Sequence, residues 1–233
     1  MAGAWWEPVR AYCERTGPEA WAEPLNALSN AAFLVAAAAI LRRSRAGPRD
    51  PTVEGLGWLV GVIGLGSALF HTLAVRWSML ADVIPIAVFV HAYVFLAMRR
   101  LLGLTLGAAL ALTLAFAAAA AGLEPALSGL AGRPLGPPTN GSIDYAPAAL
   151  ALLGVGGVLR RAGAGTARRR AGTALLGLGG LFLVSLAVRT LDAALCPVLP
   201  AGTHWLWHLI NAAVLYGLAR VALEHGRAPV GRA

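Results

Sequence analysis

Residues 55–75 read GLGWLVGVIGLGSALFHTLAV, an apolar run bounded by Glu54 and Arg76 with no Asp, Glu, Lys or Arg inside it. A membrane-spanning helix needs about 20 such residues, so this stretch predicts a helix that crosses a bilayer. Working outward, six more runs meet the same criterion: 24–41, 78–97, 101–122, 145–160, 173–195 and 203–223. The fifth is short and Gly-rich. The chain of 233 residues is 58% hydrophobic and only 13% charged, against about 25% charged for soluble domains. A disordered chain and an ordinary soluble domain are thereby excluded. The expectation is an all-α bundle of seven transmembrane helices, a single domain over 1–233 with tails at 1–23 and 224–233.

The formal charge of +8 invites a nucleic-acid reading, but the positions of the arginines oppose it. Arg42, Arg43, Arg45 and Arg49 follow the first run, and Arg99 and Arg100 the third. Arg160, Arg161, Arg168, Arg169 and Arg170 follow the fifth, and Arg220, Arg227 and Arg232 the seventh. Fourteen of the 19 basic residues thus lie on alternate connections, leaving Arg10, Arg15, Arg76, Arg133 and Arg189 for the other side. This is the positive-inside pattern. It predicts a cytoplasmic C-terminus, an outer N-terminus and a bilayer, not a nucleic acid, as partner. The Ala/Gly/Arg/Pro bias without any Lys points to a GC-rich bacterial genome, and hence to the inner or plasma membrane. No signal-peptide pattern precedes the first run.

On this topology Cys13, in the outer tail, and Cys196, at the outer end of the sixth run, face the same oxidising compartment. A disulfide can persist there, and two unpaired thiols remain the alternative. The longest connection, 123–144, is dense in Pro and Gly, which predicts an irregular outer loop able to act as a flap.

Ionisable groups within a membrane are expensive and mark function by default. Ser67 and His71 are four apart on one helical face near the outer end of the second run. Asp82 follows near the outer start of the third, and His204 and His208, again four apart, open the seventh. Three helices therefore deliver five polar groups to one leaflet. Three imidazoles with an open fourth position make a catalytic zinc site, where zinc lowers the pKa of a water and polarises a carbonyl. Asp82 would hold or deprotonate that water. Ser67 would complete the coordination or hydrogen-bond a developing oxyanion.

These motifs, Ser67-x3-His71-x10-Asp82 and His204-x3-His208, together with AEPLNALSN at 22–30, resemble the alkaline ceramidases, within the seven-span hydrolase superfamily that includes the adiponectin receptors. The resemblance covers both ends of the chain. It implies zinc-dependent hydrolysis of the amide of ceramide, with His71, His204 and His208 as ligands and Ser67 and Asp82 in catalytic roles. It also implies a disulfide between Cys13 and Cys196, and a calcium site on the tail. Tyr12-Cys13-Glu14 looks like the family's aromatic-Cys-Glu, and Glu23 like its later carboxylate. Ala11 stands where an Asp ligand belongs and Thr16 where Asn is usual, so the expected calcium set is Tyr12, Glu14, Thr16 and Glu23.

Duller roles are expected elsewhere. Asn26, Ser29 and Asn30 read as interhelical glue. Asn211 orients a ligand or faces the bundle interior. Arg189 and Asp192, three apart, are close enough to pair or to bind a headgroup. His91 reads as an interhelical contact, and six of the tryptophans as an aromatic belt. The leading expectation is an enzyme that releases a fatty acid from ceramide or another N-acyl lipid, near the outer leaflet. The alternatives are a hydrolase of a different lipid ester or amide, a non-catalytic receptor that binds zinc and lipid, and a haem carrier. The last is disfavoured because His204 and His208 share one helix face. Oligomeric state is not legible.

Overall fold

The computed structural model describes residues 3–162 and 166–225; Arg227 and Arg232, used in the charge argument, lie outside them. Eight α-helices follow in order: α1 (Pro24–Ser29), α2 (Ala31–Arg45), α3 (Pro51–Leu73), α4 (Arg76–Leu96), α5 (Leu106–Ala131), α6 (Ala146–Ala162), α7 (Thr166–Leu195) and α8 (His204–His225). They form seven segments long and apolar enough to cross a membrane, α1 and α2 acting as one. The protein is an all-helical integral membrane protein.

Each expected span has its helix, including the weak fifth, which runs from Ser142 to Arg161. The first is broken at Asn30. There Ser29 Oγ and Asn30 Nδ2 both donate to the Asn26 carbonyl, at 2.9 and 2.8 Å. Side chains that bond back to their own helix bend it.

The 123–144 connection is corrected. Helix α5 runs on to Ala131, because the segment stays rich in Ala and Leu and Pro125 removes only one backbone bond. The helix stops at Gly132, in the left-handed conformation at φ 64°. Beyond it, Ser128 Oγ donates to Glu124 Oε1 at 2.6 Å and accepts from the Leu135 amide at 2.9 Å. The remaining turn is tied down as well: Asn140 Nδ2 donates to the Arg189 carbonyl, and Arg189 Nε to the Asn140 carbonyl, both at 3.1 Å. It is no loose flap.

Helix α8 packs against α2, α3 and α7, while α3 pairs with α4 and α6 with α7. Helix α5 stands outside this arrangement, with Ala109 as its buried residue. One end of the bundle is fastened by Asp50, whose Oδ1 accepts from the Thr52 and Val53 amides at the start of α3. Its carboxylate also receives both arms of Arg100, at 2.6 and 2.9 Å. Burial works against ionisation of Asp50, but Arg100 and these two amides outweigh it and hold the carboxyl below its usual range. The other end carries the polar residues singled out above.

At that end the N-terminal tail folds back over the helices. Pro8 bridges to Val75, and the Val9 amide donates to the Ala74 carbonyl at 2.7 Å. Cys13 is disulfide-bonded to Cys196. Beside the bridge, buried Asp192 accepts from the amides of Cys13, Thr203 and His204 at 3.0, 2.6 and 3.0 Å. It therefore caps α8 and anchors the tail to α7 at once. Gly202 makes the approach possible, since its φ is +61° and a Cβ there would run into Asp192 and Cys13.

Candidate metal and hydrolase site

His71 lies two residues before the end of α3, His204 is the first residue of α8, and His208 follows one turn later. All three are buried, with exposures of 0, 1 and 1%. They converge: one ligating atom from each lies within 4.8 Å of the others. Asp82, in the second turn of α4, and Ser67, one turn before His71, are buried beside them. Ser67, His71 and Arg189 lie close enough to the Asp82 carboxyl to act on it. The five residues expected to share one membrane depth thus sit at one end of the bundle.

Local sequence explains the meeting of α3 and α4. A Cβ at Gly66 would collide with the backbone carbonyl of Ala81. Only glycine permits this crossing, and its chain neighbours on the two helices are Ser67 and Asp82.

The imidazoles are oriented from behind. His71 Nδ1 lies 2.6 Å from Glu23 Oε2, and Nε2 is buried without a partner. Ser29 Oγ donates to the Asn26 carbonyl, so at 2.7 Å it accepts from His208 Nδ1, leaving Nε2 as the basic nitrogen. His204 Nδ1 is likewise buried and unpartnered, and the ring lies stacked beneath Tyr12 at a centroid distance of 3.5 Å. Metal-binding histidines commonly have their second nitrogen held by a carboxylate or other acceptor. Unpartnered buried ring nitrogens on His71 and His204, with a carboxylate behind His71 and a hydroxyl behind His208, fit a metal ion held by three neutral imidazoles.

Of the residues expected to bind calcium, Tyr12, Glu14 and Glu23 have protein partners. Glu14 accepts from the amides of Leu25 and Asn26, at 2.7 and 2.8 Å, and so caps α1. Glu23 receives Arg15 Nε, Asn26 Nδ2 at 3.0 Å and His71. Burial alone would raise the Glu23 carboxyl, but the His71 hydrogen bond and charge, with Arg15 and Asn26, hold it below the usual range. Arg15 completes the knot by donating from Nη2 to the His71 carbonyl at 2.8 Å. Tyr12 is packed over His204; burial pushes its phenol above the usual range, and its oxygen accepts from Arg189 Nη1 at 2.9 Å. The calcium expectation rests on the resemblance.

The anticipated Arg189–Asp192 pair also gives way. Asp192 turns to the backbone amides of α8, while the Arg189 guanidinium lies over the rings of Tyr12, Tyr145 and Trp207, at 5.6, 5.5 and 5.1 Å. Trp207 accordingly leaves the expected aromatic belt for the interior, whereas Trp5, Trp6 and Trp21 are exposed. His91 sits 2.7 Å from the Ala87 carbonyl of its own helix and meets α5 only edge-on at Phe116.

Below the site lies an apolar cavity. It starts one turn beneath Asp82 and Ser67, at Ile86 and Ile63, and beside His208, at Trp207. It ends at Met98 and Leu218. From Trp207 to Leu218 it follows α8 for about 17 Å at 1.5 Å per residue. That is about half of a hydrocarbon core roughly 30 Å thick. Along α4 the lining residues Ile86, Val90, Val94 and Met98 form one stripe and are only partly buried. The cavity wall therefore meets the surface beside that helix.

No protein-family model, curated protein or solved structure matches the chain. Its function has to be argued from the site.

Proposed function

We propose that the protein is a zinc-dependent membrane hydrolase that cleaves the amide of an N-acyl lipid, ceramide being the first substrate to test. The observation that carries this reading is the junction of the buried His71–His204–His208 cluster with a one-leaflet-deep apolar cavity. A chain in that cavity brings its carbonyl to the histidines and leaves its headgroup beneath the tail. Zinc is favoured by the ligand set, three imidazoles with room for a fourth ligand. When bound, zinc supplies Lewis acidity and makes water a competent nucleophile near neutral pH.

The chain's own residues supply the rest. Asp82 Oδ1 is buried and unpartnered, so it can take a proton from the attacking water and pass it to the departing nitrogen. Water adds to the carbonyl carbon, the C–N bond breaks, and a fatty acid and an amine result. Ser67 donates to the carbonyl oxygen as charge develops on it. Arg189 and its three rings line the headgroup side, and Tyr12 covers His204 against bulk water. The arginine distribution puts this end of the bundle on the outer face of the membrane, and a disulfide persists in such a compartment.

Fatty-acid release from a fluorescent ceramide tests the reading. Chelation should abolish release and added zinc restore it. Asp82→Asn should keep zinc while lowering kcat about 10²–10⁴-fold, the range of a general acid–base. Release that persists after complete metal removal would overturn the proposal.

A further inference from the structure

Apart from the polar tips of Tyr93, Tyr145 and Trp207, the cavity wall is hydrocarbon and aromatic except for one amide. Asn211 is 7% exposed, lines the cavity, and has no hydrogen-bond partner at Nδ2. The His71 and His208 rings are held by Glu23 and Ser29, and the Tyr93 hydroxyl donates to the Leu218 carbonyl at 3.0 Å. Asn26 and Asn30 also carry unpartnered oxygens, but neither lines the cavity. A buried amide facing hydrocarbon is costly unless something bonds to it.

On the acyl-binding reading above, we infer that the cavity is built for an acyl chain that carries a hydroxyl on one of its first carbons beyond the scissile carbonyl, with Asn211 as the residue that selects it. Asn211 lies three residues past His208, about 4.5 Å further into the membrane, so the bonded oxygen falls near the carbonyl and not in mid-chain. The unpartnered Nδ2 is a donor and needs an oxygen that accepts, which a hydroxyl on the chain supplies. The substrate class is an N-(2- or 3-hydroxyacyl) lipid.

The test is equilibrium binding of radiolabelled free acids to the purified protein: myristic, 2-hydroxymyristic and 3-hydroxymyristic acid, and a chain hydroxylated at its far end. Wild type should hold the 2- or the 3-hydroxy acid about tenfold more tightly than myristic acid, a difference of about 1.4 kcal/mol. The far-end hydroxyl should give no gain. In Asn211→Leu the ratio should fall to about one, and Asn211→Ala gives the same reading should leucine not be tolerated. Equal binding of plain and hydroxylated acids by wild type would overturn the inference, as would a preference that survives both substitutions. Binding of free acids needs no turnover. A preference without amide hydrolysis would sink the hydrolase and leave this inference standing, whereas hydrolysis of plain and hydroxylated amides at equal kcat/KM would do the reverse.

Discussion

Glu23 is the residue whose replacement separates a metal-orienting carboxylate from a merely structural one. It receives His71 Nδ1 at 2.6 Å, Asn26 Nδ2 at 3.0 Å and the Arg15 guanidinium. Glutamine keeps the shape but replaces one acceptor oxygen with an NH₂ group. Either His71 or Arg15 then faces a donor instead of an acceptor. Loss of such a carboxylate behind a metal-binding histidine costs about 10–100-fold in metal affinity, or about 1.4–2.8 kcal/mol. The same change breaks a buried ion pair, which costs about 3–5 kcal/mol of stability. The lower end applies, since Arg15 keeps the carbonyls of Gly17, Glu19, His71 and Thr72. The assay is zinc competition against a chelator in detergent, paired with thermal melts of Glu23→Gln and Arg15→Met. Both variants should melt early, but only Glu23→Gln should bind zinc more weakly, because Arg15→Met leaves the His71 contact in place. Wild-type zinc affinity in Glu23→Gln, or equal weakening in Arg15→Met, would refute the reasoning.

Other perturbations follow from the same geometry. Gly66→Ala puts a methyl against the Ala81 carbonyl and should lower kcat about 100-fold with zinc content unchanged, the cost of displacing Asp82 by about 1 Å; an unaltered kcat would show that this crossing does not position the site. Reducing Cys13–Cys196, 183 residues apart in sequence, should cost about 2–4 kcal/mol, read as a fall in Tm. After reduction in intact spheroplasts an impermeant maleimide should label both cysteines, and protection there would contradict an outer N-terminus. Asp50 has a lowered pKa in the folded protein, so its stabilisation is complete above the unfolded carboxyl value of about 3.9 and is lost as pH falls through the folded value. Wild-type Tm should therefore hold between pH 7 and 5 and drop below about pH 4, while Asp50→Asn starts lower and has a shallower acid limb. Identical acid limbs would refute the pairing with Arg100.

The fold was legible because bilayer burial leaves long uncharged runs, and the histidine cluster because i, i+4 pairs at helix ends give both face and depth. Residues 24–45 illustrate the limit: hydropathy marks the span but not its break, which arises where Ser29 and Asn30 bond back to Asn26. The partners that support the site were not legible for a different reason. Glu23, Asp192 and Tyr12 find their partners across 48, 179 and 177 residues of sequence, and no local spacing encodes such contacts. Glu23 was read as a calcium ligand from its place before a helix, and its contact with His71 is visible only in the fold. The spacing of Arg189 and Asp192 suits a pair, yet two amides at the start of α8 and one from the tail claim Asp192 first. Pro and Gly between 123 and 144 were read as loop throughout, although α5 continues until Gly132 provides a left-handed stop.

The central claim is that His71, His204 and His208 hold one metal ion. Metal analysis of the purified protein, with X-ray absorption at the zinc edge, tests it most directly. The account predicts about one zinc per chain with three nitrogen ligands at about 2.0–2.1 Å, lost in His204→Ala and His208→Ala and retained in Asp82→Asn. A protein free of bound metal after purification without chelators, or one that keeps its zinc when His204 and His208 are both replaced, would contradict it.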